Sequence, residues 1–373
     1  MIATDWYKIS NLAEYDTPLM AVYPDRIKTN IALALQMLDG DASRLMPHIK
    51  THKTAEVLRM FRDQGIYQVK CATIAEAELA AQQGMREIFL AYQPFGKKIA
   101  RLAGLVNTYP KVHFYCLVDN LPSAVKIGSE MLLLTGKPLP VYVDVNTGMD
   151  RTGYPYQHSL PEFYLELRKV PGIDLKGLHI YDGHIHGTDL SNRFAALDEV
   201  FSQILADVAT ITEAGLPRPV IVAGGSNTFA FYAQQEEVIC SPGTFVFWDQ
   251  NYSLKLPELK FLPAAVLVTT VISKPAAGLL CLDLGYKSVS SENPIDKRVF
   301  FPWNPDLSTV SHSEEHLTVR SSIADQYEVG VMIYGIPYHV CPAVALYDEL
   351  AEVKGHLITG QWEVSARRRK LCL

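Results

Sequence analysis

Residues 191–228, SNRFAALDEVFSQILADVATITEAGLPRPVIVAGGSNT, read as one complete structural unit. Ser191 offers an N-cap oxygen to a long amphipathic helix over 192–214, and Gly215 supplies the left-handed residue that ends it. An apolar, β-branched run at 219–223 then reads as a buried strand, which empties into Gly224-Gly225-Ser226-Asn227-Thr228 ahead of another helical start. The same alternation recurs upstream. Apolar runs at 19–23, 44–50, 67–71, 87–91, 111–117, 141–145, 175–180 and 238–240 are separated by helix-length patterns such as 75–83, 97–106 and 121–134. Repeated βα units build parallel sheets, and this many of them favour a closed (β/α)8 barrel over an open doubly wound sheet. No Gly-x-Gly-x-x-Gly follows the first strand, which weighs against a dinucleotide-binding sheet.

Beyond residue 258 the texture changes. Short β-branched runs at 264–272, 278–283, 317–320 and 329–333 are punctuated by Pro, Gly and Asn, and little reads as helix. The expectation is an α/β chain: a (β/α)8 barrel over 16–258, then a β-rich domain over 259–373 that residues 1–15 join. The 373 residues suffice for both, and 48% hydrophobic with 20% charged content describes an ordinary globular core. A net charge of −6 excludes the basic footprint of a nucleic-acid or acidic-membrane partner, and the short run Arg367-Arg368-Arg369-Lys370 reads as a solvated tail. Six scattered cysteines without a Cys-x-x-Cys pair fit free thiols in a reducing compartment. The N-terminus lacks a signal-peptide layout, and no apolar stretch approaches the roughly 20 residues of a membrane span. A cytoplasmic location is expected.

Five segments carry candidate chemistry. In Arg44-Leu-Met-Pro-His48-Ile-Lys50-Thr-His52-Lys53, Lys50 ends a strand among other cationic groups, where a partly desolvated amine suits Schiff-base work; a solvated lysine cluster is the alternative. Asp144-Val-Asn146-Thr147-Gly148-Met149-Asp150-Arg151-Thr152-Gly153 follows a strong apolar strand and offers close backbone approach plus the fork of Arg151. The loop Gly224-Gly225-Ser226-Asn227-Thr228 presents free backbone N–H groups and hydroxyls of Ser226 and Thr228 to a phosphate. His179-Ile-Tyr181-Asp182-Gly-His184-Ile-His186 sets three histidines at a strand end, as bases, ligands or satisfied core groups. In Pro337-Tyr-His339-Val-Cys341-Pro, extended backbone would point an imidazole and a thiol the same way, a pair that suits Zn²⁺ but does not complete a site.

Taken together, these segments resemble the alanine-racemase-like barrel enzymes that use pyridoxal 5′-phosphate (PLP), within them the D-threonine aldolase and D-serine dehydratase branch. Pro47-His-Ile-Lys50-Thr-His-Lys53 is similar to that branch's cofactor-lysine motif, and Thr147-Gly-Met-Asp-Arg151-Thr-Gly153 to the segment whose arginine meets the cofactor's phenolic oxygen. Asn146 stands where racemases usually carry Asp. The resemblance implies Lys50 as the cofactor lysine, with Arg151, Tyr181, Gly224, Gly225, Ser226 and Thr228 as cofactor-binding residues. His339 and Cys341 resemble the branch's metal-binding pair, for Zn²⁺ or Mn²⁺, and Ser241–Asp249 resembles the segment that closes the barrel. A homodimer is implied as well.

The activity this implies is a PLP- and metal-dependent lyase acting on 3-hydroxy-D-amino acids. Dehydration, with Lys50 taking the Cα proton, and retro-aldol cleavage, with His184 or His186 taking the hydroxyl proton, both remain open. An amino-acid racemase would leave His339 and Cys341 without a role. A non-catalytic PLP-binding barrel would need no second domain.

Overall fold

The structure is a computed structural model and describes residues 5–372. The chain divides into two compact units. One holds the chain up to Ala32 with Thr51–Val57 and Thr244–Arg367, and the other holds Leu33–Lys50, Leu58–Gly243 and the residues from Arg368. The apolar run at 19–23, which reads as a first barrel strand, is β1 (Leu19–Val22) of the first unit. It pairs antiparallel with Ala265–Ala276 and parallel with Glu349–Lys354. A short apolar run followed by a helix looks the same whichever sheet receives it, because the choice is made by partners remote in sequence.

The second unit is the barrel. Its strands are β2 (Gln68–Cys71), β3 (Glu87–Leu90), β4 (His113–Val118), β5 (Leu139–Asn146) with the two-residue β6 (Tyr154–Pro155) beside it, β7 (Ile173–Ile180), β8 (Val220–Ala223) and β9 (Val238–Cys240). They run parallel in the order β2-β3-β4-β5-β7-β8-β9. Residues 45–49 close the ring. Leu45 bridges Cys240 and His48 bridges Lys70, both in the parallel sense. Pro47 has no N–H to donate, which explains why this expected strand appears as isolated bridges rather than a continuous ladder. Met46, Phe89, Leu117, Tyr142 and Val222 pack together inside the barrel.

The long helix begins slightly earlier than its sequence pattern indicates, at Leu190–Glu213. Asp189, not Ser191, is the cap: its carboxylate accepts the Asn192 N–H at 3.1 Å and the Ser191 hydroxyl at 2.8 Å. Asp and Ser cap about equally well, and an ionised carboxylate also gains from the helix dipole. Gly215 terminates the helix at φ +86° as expected.

The first unit is built on an antiparallel sheet: β10 (Ala265–Ala276), β11 (Leu279–Leu282), β12 (Val299–Phe300), β13 (Ser308–His312), β14 (Leu317–Arg320), β15 (Met332–Pro337), β16 (Glu349–Lys354) and β17 (Leu357–Glu363). The strand order is β13-β14-β11-β10-β1-β16-β17, with β15 also on β10 and β12 on β15. Tyr7, Ile9 and Leu12 share an apolar cluster with Val266, Val268 and Val353.

Gly177 on β7 lies where a Cβ would fall 1.9 Å from the carbonyl oxygen of its β8 partner Val220. Gly177→Ala must therefore push two barrel strands apart. Its urea midpoint is expected below the wild type's, by the equivalent of about 1–3 kcal/mol, and an unchanged midpoint would refute this packing.

Candidate active site

The C-terminal ends of the barrel strands converge on a cavity of about 460 Å³, whose wall includes Lys50, Lys70, Asp144, Arg151, His179 and Tyr181. Lys50 follows the closing segment, and its backbone N–H reaches His48 Nδ1 at 3.3 Å. Tyr181, just past β7, presents its ring to three cations. Lys50 Nζ and Lys70 Nζ each lie 5.8 Å from the ring centroid, and the Arg151 guanidinium carbon lies 4.8 Å away.

Behind the ring runs a buried polar chain. His179 Nδ1 meets Asp144 Oδ1 at 2.7 Å, and the Thr152 hydroxyl donates to Asp144 Oδ2 at 2.7 Å. Burial, then the neighbouring Lys70, push the His179 pKa down, so the ring favours its neutral form. Burial would raise the Asp144 carboxyl, but its hydrogen bond and charge interaction with His179 hold it below the usual 3.8.

Lys70 is the residue the sequence reading passes over. It lies in the run 67–71, whose apolar texture predicts an ordinary strand, yet it is 2% exposed. The available signal was a lysine between two residues of an otherwise apolar strand, Val69 and Cys71. Burial, then Lys50, push its pKa down to about 7.

The glycine-rich loop abuts the Tyr181 ring. A Cβ at Gly225 would come 3.0 Å from Tyr181 Cε2, and Gly224 sits at φ +78° with Thr228 Oγ1 2.8 Å from any added Cβ. Thr228 turns its oxygen inward to accept the Gly225 N–H at 3.2 Å, so its hydroxyl shapes the loop. Ser226 is buried. Asn227 braces the loop by donating to the carbonyls of Asp182 (2.8 Å) and Ile185 (2.7 Å), while Arg193 donates to Asn227 O at 3.0 Å. The Asp182 carboxylate accepts the hydroxyls of Thr147 and Tyr232, both at 2.6 Å. None of these bracing roles is visible from spacing alone.

His184 and His186 are not among the residues of the cavity wall. His186 is exposed. His184 faces Gly148, where a Cβ would lie 3.0 Å from its Nε2, and its buried Nδ1 has no hydrogen-bond partner.

In the β-rich unit, His339 keeps the expected extended backbone (φ −136°, ψ 97°), but it lies beyond the end of β15 and the next residue starts a helix. It caps the short helix Val340–Val344, so the start of a helix, rather than strand alternation, brings its imidazole to the Cys341 thiol. Asp249 Oδ2 accepts the Val340 N–H at 3.1 Å and fixes that turn. Cys341 Sγ lies 3.1 Å from Thr51 Oγ1, and Glu292 Oε1 lies 2.6 Å from His339 Nδ1. Among the described residues no third His, Cys, Asp or Glu completes a ligating cluster.

The arrangement fits a flat, phosphate-bearing carbonyl cofactor. It offers an amine, a guanidinium, an aromatic ring and a loop so near that ring that a Cβ at Gly225 would crowd it. A parallel barrel with such a rim defines the class of PLP-binding barrels. The chain belongs to the family described as "Alanine racemase, N-terminal domain", which it matches over residues 22–250, and residues 264–353 match "Putative serine dehydratase domain". PLP is the cofactor expected of this family.

The chain is 26% identical to D-threonine aldolase of Arthrobacter sp, over 95% of this chain and 94% of that protein. It is 23% identical to D-threo-3-hydroxyaspartate dehydratase of Delftia sp. (strain HT23), over 94% and 98%. The crystal structure of D-threonine aldolase from Filomicrobium marinum shares the fold with a TM-score of 0.87 at 24% identity, over 95% of this chain and 96% of that one. Among the described residues no helix is long and apolar enough to cross a membrane.

Asp144→Asn removes the charge that steadies His179. Because the folded-state pKa of Asp144 is depressed, its stabilisation is present above the ordinary value of 3.8 and is lost as pH falls below it. The variant's urea midpoint is expected to drop at neutral pH by the equivalent of about 1–3 kcal/mol, with the gap to wild type closing in acid. A gap independent of pH would contradict an ionised Asp144.

Proposed function

We propose that this chain is a PLP- and divalent-cation-dependent lyase acting on 3-hydroxy-D-amino acids. The observation that carries the reading is the rim cavity, where Lys50 and Arg151 face the Tyr181 ring beside the Gly224–Gly225 turn. Likeness to D-threonine aldolase and D-threo-3-hydroxyaspartate dehydratase over nearly the whole chain supports it.

Bound in the cavity, PLP supplies an electron sink for a bond broken at the substrate's Cα. Lys50 Nζ would hold the cofactor and, once the substrate's amine replaces it, accept the Cα proton in a dehydration. Arg151 would donate to the cofactor's ring oxygen. The Gly224–Gly225 turn would let the phosphate approach closely, but the Gly224 N–H is bonded to Ile180 O and the Gly225 N–H to the Thr228 hydroxyl, so Ser226 would be the donor of this loop. Tyr181 would supply a flat contact surface. A retro-aldol cleavage would need a base for the hydroxyl proton, and neither His184 nor His186 lines the cavity to serve as one.

His339 and Cys341 would hold Zn²⁺ or Mn²⁺, a Lewis acid for the substrate's 3-hydroxyl. Glu292 engages His339 Nδ1, which leaves Nε2 as the ligating nitrogen. A protein donor pair leaves the remaining coordination positions to water and substrate. The homodimer and the cytoplasmic location belong to the same proposal.

Three results are expected. Wild-type protein reconstituted with PLP is yellow, and the covalently bound chromophore is lost in Lys50→Ala. Chelation abolishes turnover and Zn²⁺ or Mn²⁺ restores it, while Cys341→Ala lowers kcat/KM on the order of 100-fold or more. D-serine and D-threonine, followed side by side, separate the outcomes: 2-oxo acids report dehydration, and glycine with acetaldehyde reports cleavage of D-threonine. A colourless wild type, or turnover indifferent to chelator, would overturn the respective half of the proposal.

A further inference from the structure

Lys70 has no part in the chemistry assigned above, yet it is the most elaborately placed amine in the barrel. Its Nζ lies 2.5 Å from Ser241 Oγ, 3.4 Å from His179 Nε2 and 3.5 Å from the Gly224 carbonyl oxygen. Three acceptors match the three N–H bonds of an ammonium, whereas a neutral amine donates two and keeps a lone pair. His179 continues the path to the Asp144 carboxylate. A hydrogen-bonded chain thus runs from the cavity wall through an imidazole to an anion.

The backbone sets Lys70 beside Lys50. The Ile49 N–H donates to Lys70 O and the Lys70 N–H donates to Pro47 O, each at 2.9 Å, so the segment that leads into Lys50 is bonded to the strand that carries Lys70. Their amines are equidistant from the Tyr181 ring. The titratable and charged groups facing Lys70 are Lys50 after the closing segment, Asp144 and Arg151 on and after β5, His179 on β7, and Asp182 after it. Burial and the two cations disfavour the ammonium while the two carboxylates favour it, and the balance falls at about 7.

We propose that Lys70 is a second acid–base group of this site, a positioning residue whose amine, backed by His179 and Asp144, sets the charge that the bound cofactor's ionisable ring meets. This rests on the PLP reading of the cavity. With Lys70 protonated, the cavity holds an extra positive charge and favours the anionic form of the ring system. With Lys70 neutral, that preference is lost. The proton moves along existing hydrogen bonds or to solvent, and no covalent bond to Lys70 forms or breaks.

The test is the absorbance of bound PLP, recorded across neutral pH in reconstituted wild type, Lys70→Arg and Lys70→Met. In the wild type the chromophore is expected to pass between two limiting spectra with a midpoint near neutrality. Lys70→Arg, with a fixed positive charge, should stay at the wild type's acid-limit spectrum, and Lys70→Met at its alkaline-limit spectrum. A change in stability alone would lock neither limit. Should Lys70→Met fail to fold, Lys70→Arg decides: the acid-limit spectrum throughout supports the assignment, and a titration like the wild type's overturns it. Variants that both take up PLP and titrate as the wild type does overturn this assignment and leave the cofactor reading standing. A wild type that takes up no PLP overturns both.

Discussion

Closure of the barrel by residues 45–49 is the constraint on which the rim depends. The segment hangs on four backbone hydrogen bonds of 2.8–2.9 Å: Met46 to Cys240, His48 to Pro242, Ile49 to Lys70, and Lys70 to Pro47. Proline removes one donor from this seam, so the remaining bonds carry the register. A slip by one residue would turn Met46 out of the interior cluster and reverse the side-chain alternation that leads into Lys50. The position of the candidate cofactor lysine is thus a property of strand pairing, and Lys70 is written into the same four bonds.

A second constraint is electrostatic. The cavity wall brings together Lys50, Lys70 and Arg151, groups of like charge that repel one another. Two aspartates lie close enough to balance it, but the protein commits their oxygens elsewhere: Asp144 to His179 and Thr152, Asp182 to Thr147 and Tyr232. Anchored in this way they act as background charge and do not close ion pairs across the cavity. The positive groups remain directed at the Tyr181 ring, an arrangement suited to an anionic, phosphate-bearing ligand.

Much of this was legible in the sequence because the βα repeat is a local signal. The strand at 238–240 and most barrel strands lie within two residues of their expected ends, and Lys50, Arg151 and Tyr181 do share one cavity. What was not legible depends on remote partners. The run at 19–23 has the same apolar texture as a barrel strand and is claimed by β10 and β16 instead. Lys70 lies in an ordinary-looking apolar run, and only the curling of β2 into a ring shows that its side chain is buried against the cavity. Asn227 and Arg193 look like ordinary loop and helix polar residues, and only the folded chain shows them bracing the glycine turn.

The His339–Cys341 pair shows how a sound spacing argument can reach the right neighbours by the wrong route. Residues at i and i+2 share a direction on a strand, whereas here β15 ends at Pro337 and the backbone turns into a helix at His339. The pairing then depends on what holds that turn. Asp249 supplies the constraint by accepting the Val340 N–H, and Glu292 supplies the other by fixing the imidazole through Nδ1. Asp249 itself begins the helix Gln250–Lys255, capping the N–H of Tyr252 with its other oxygen. One buried carboxylate therefore joins two helix starts, and the orientation of His339 follows from both. Donor spacing in sequence was only the necessary half of this arrangement; the carboxylates that aim the donors are the other half.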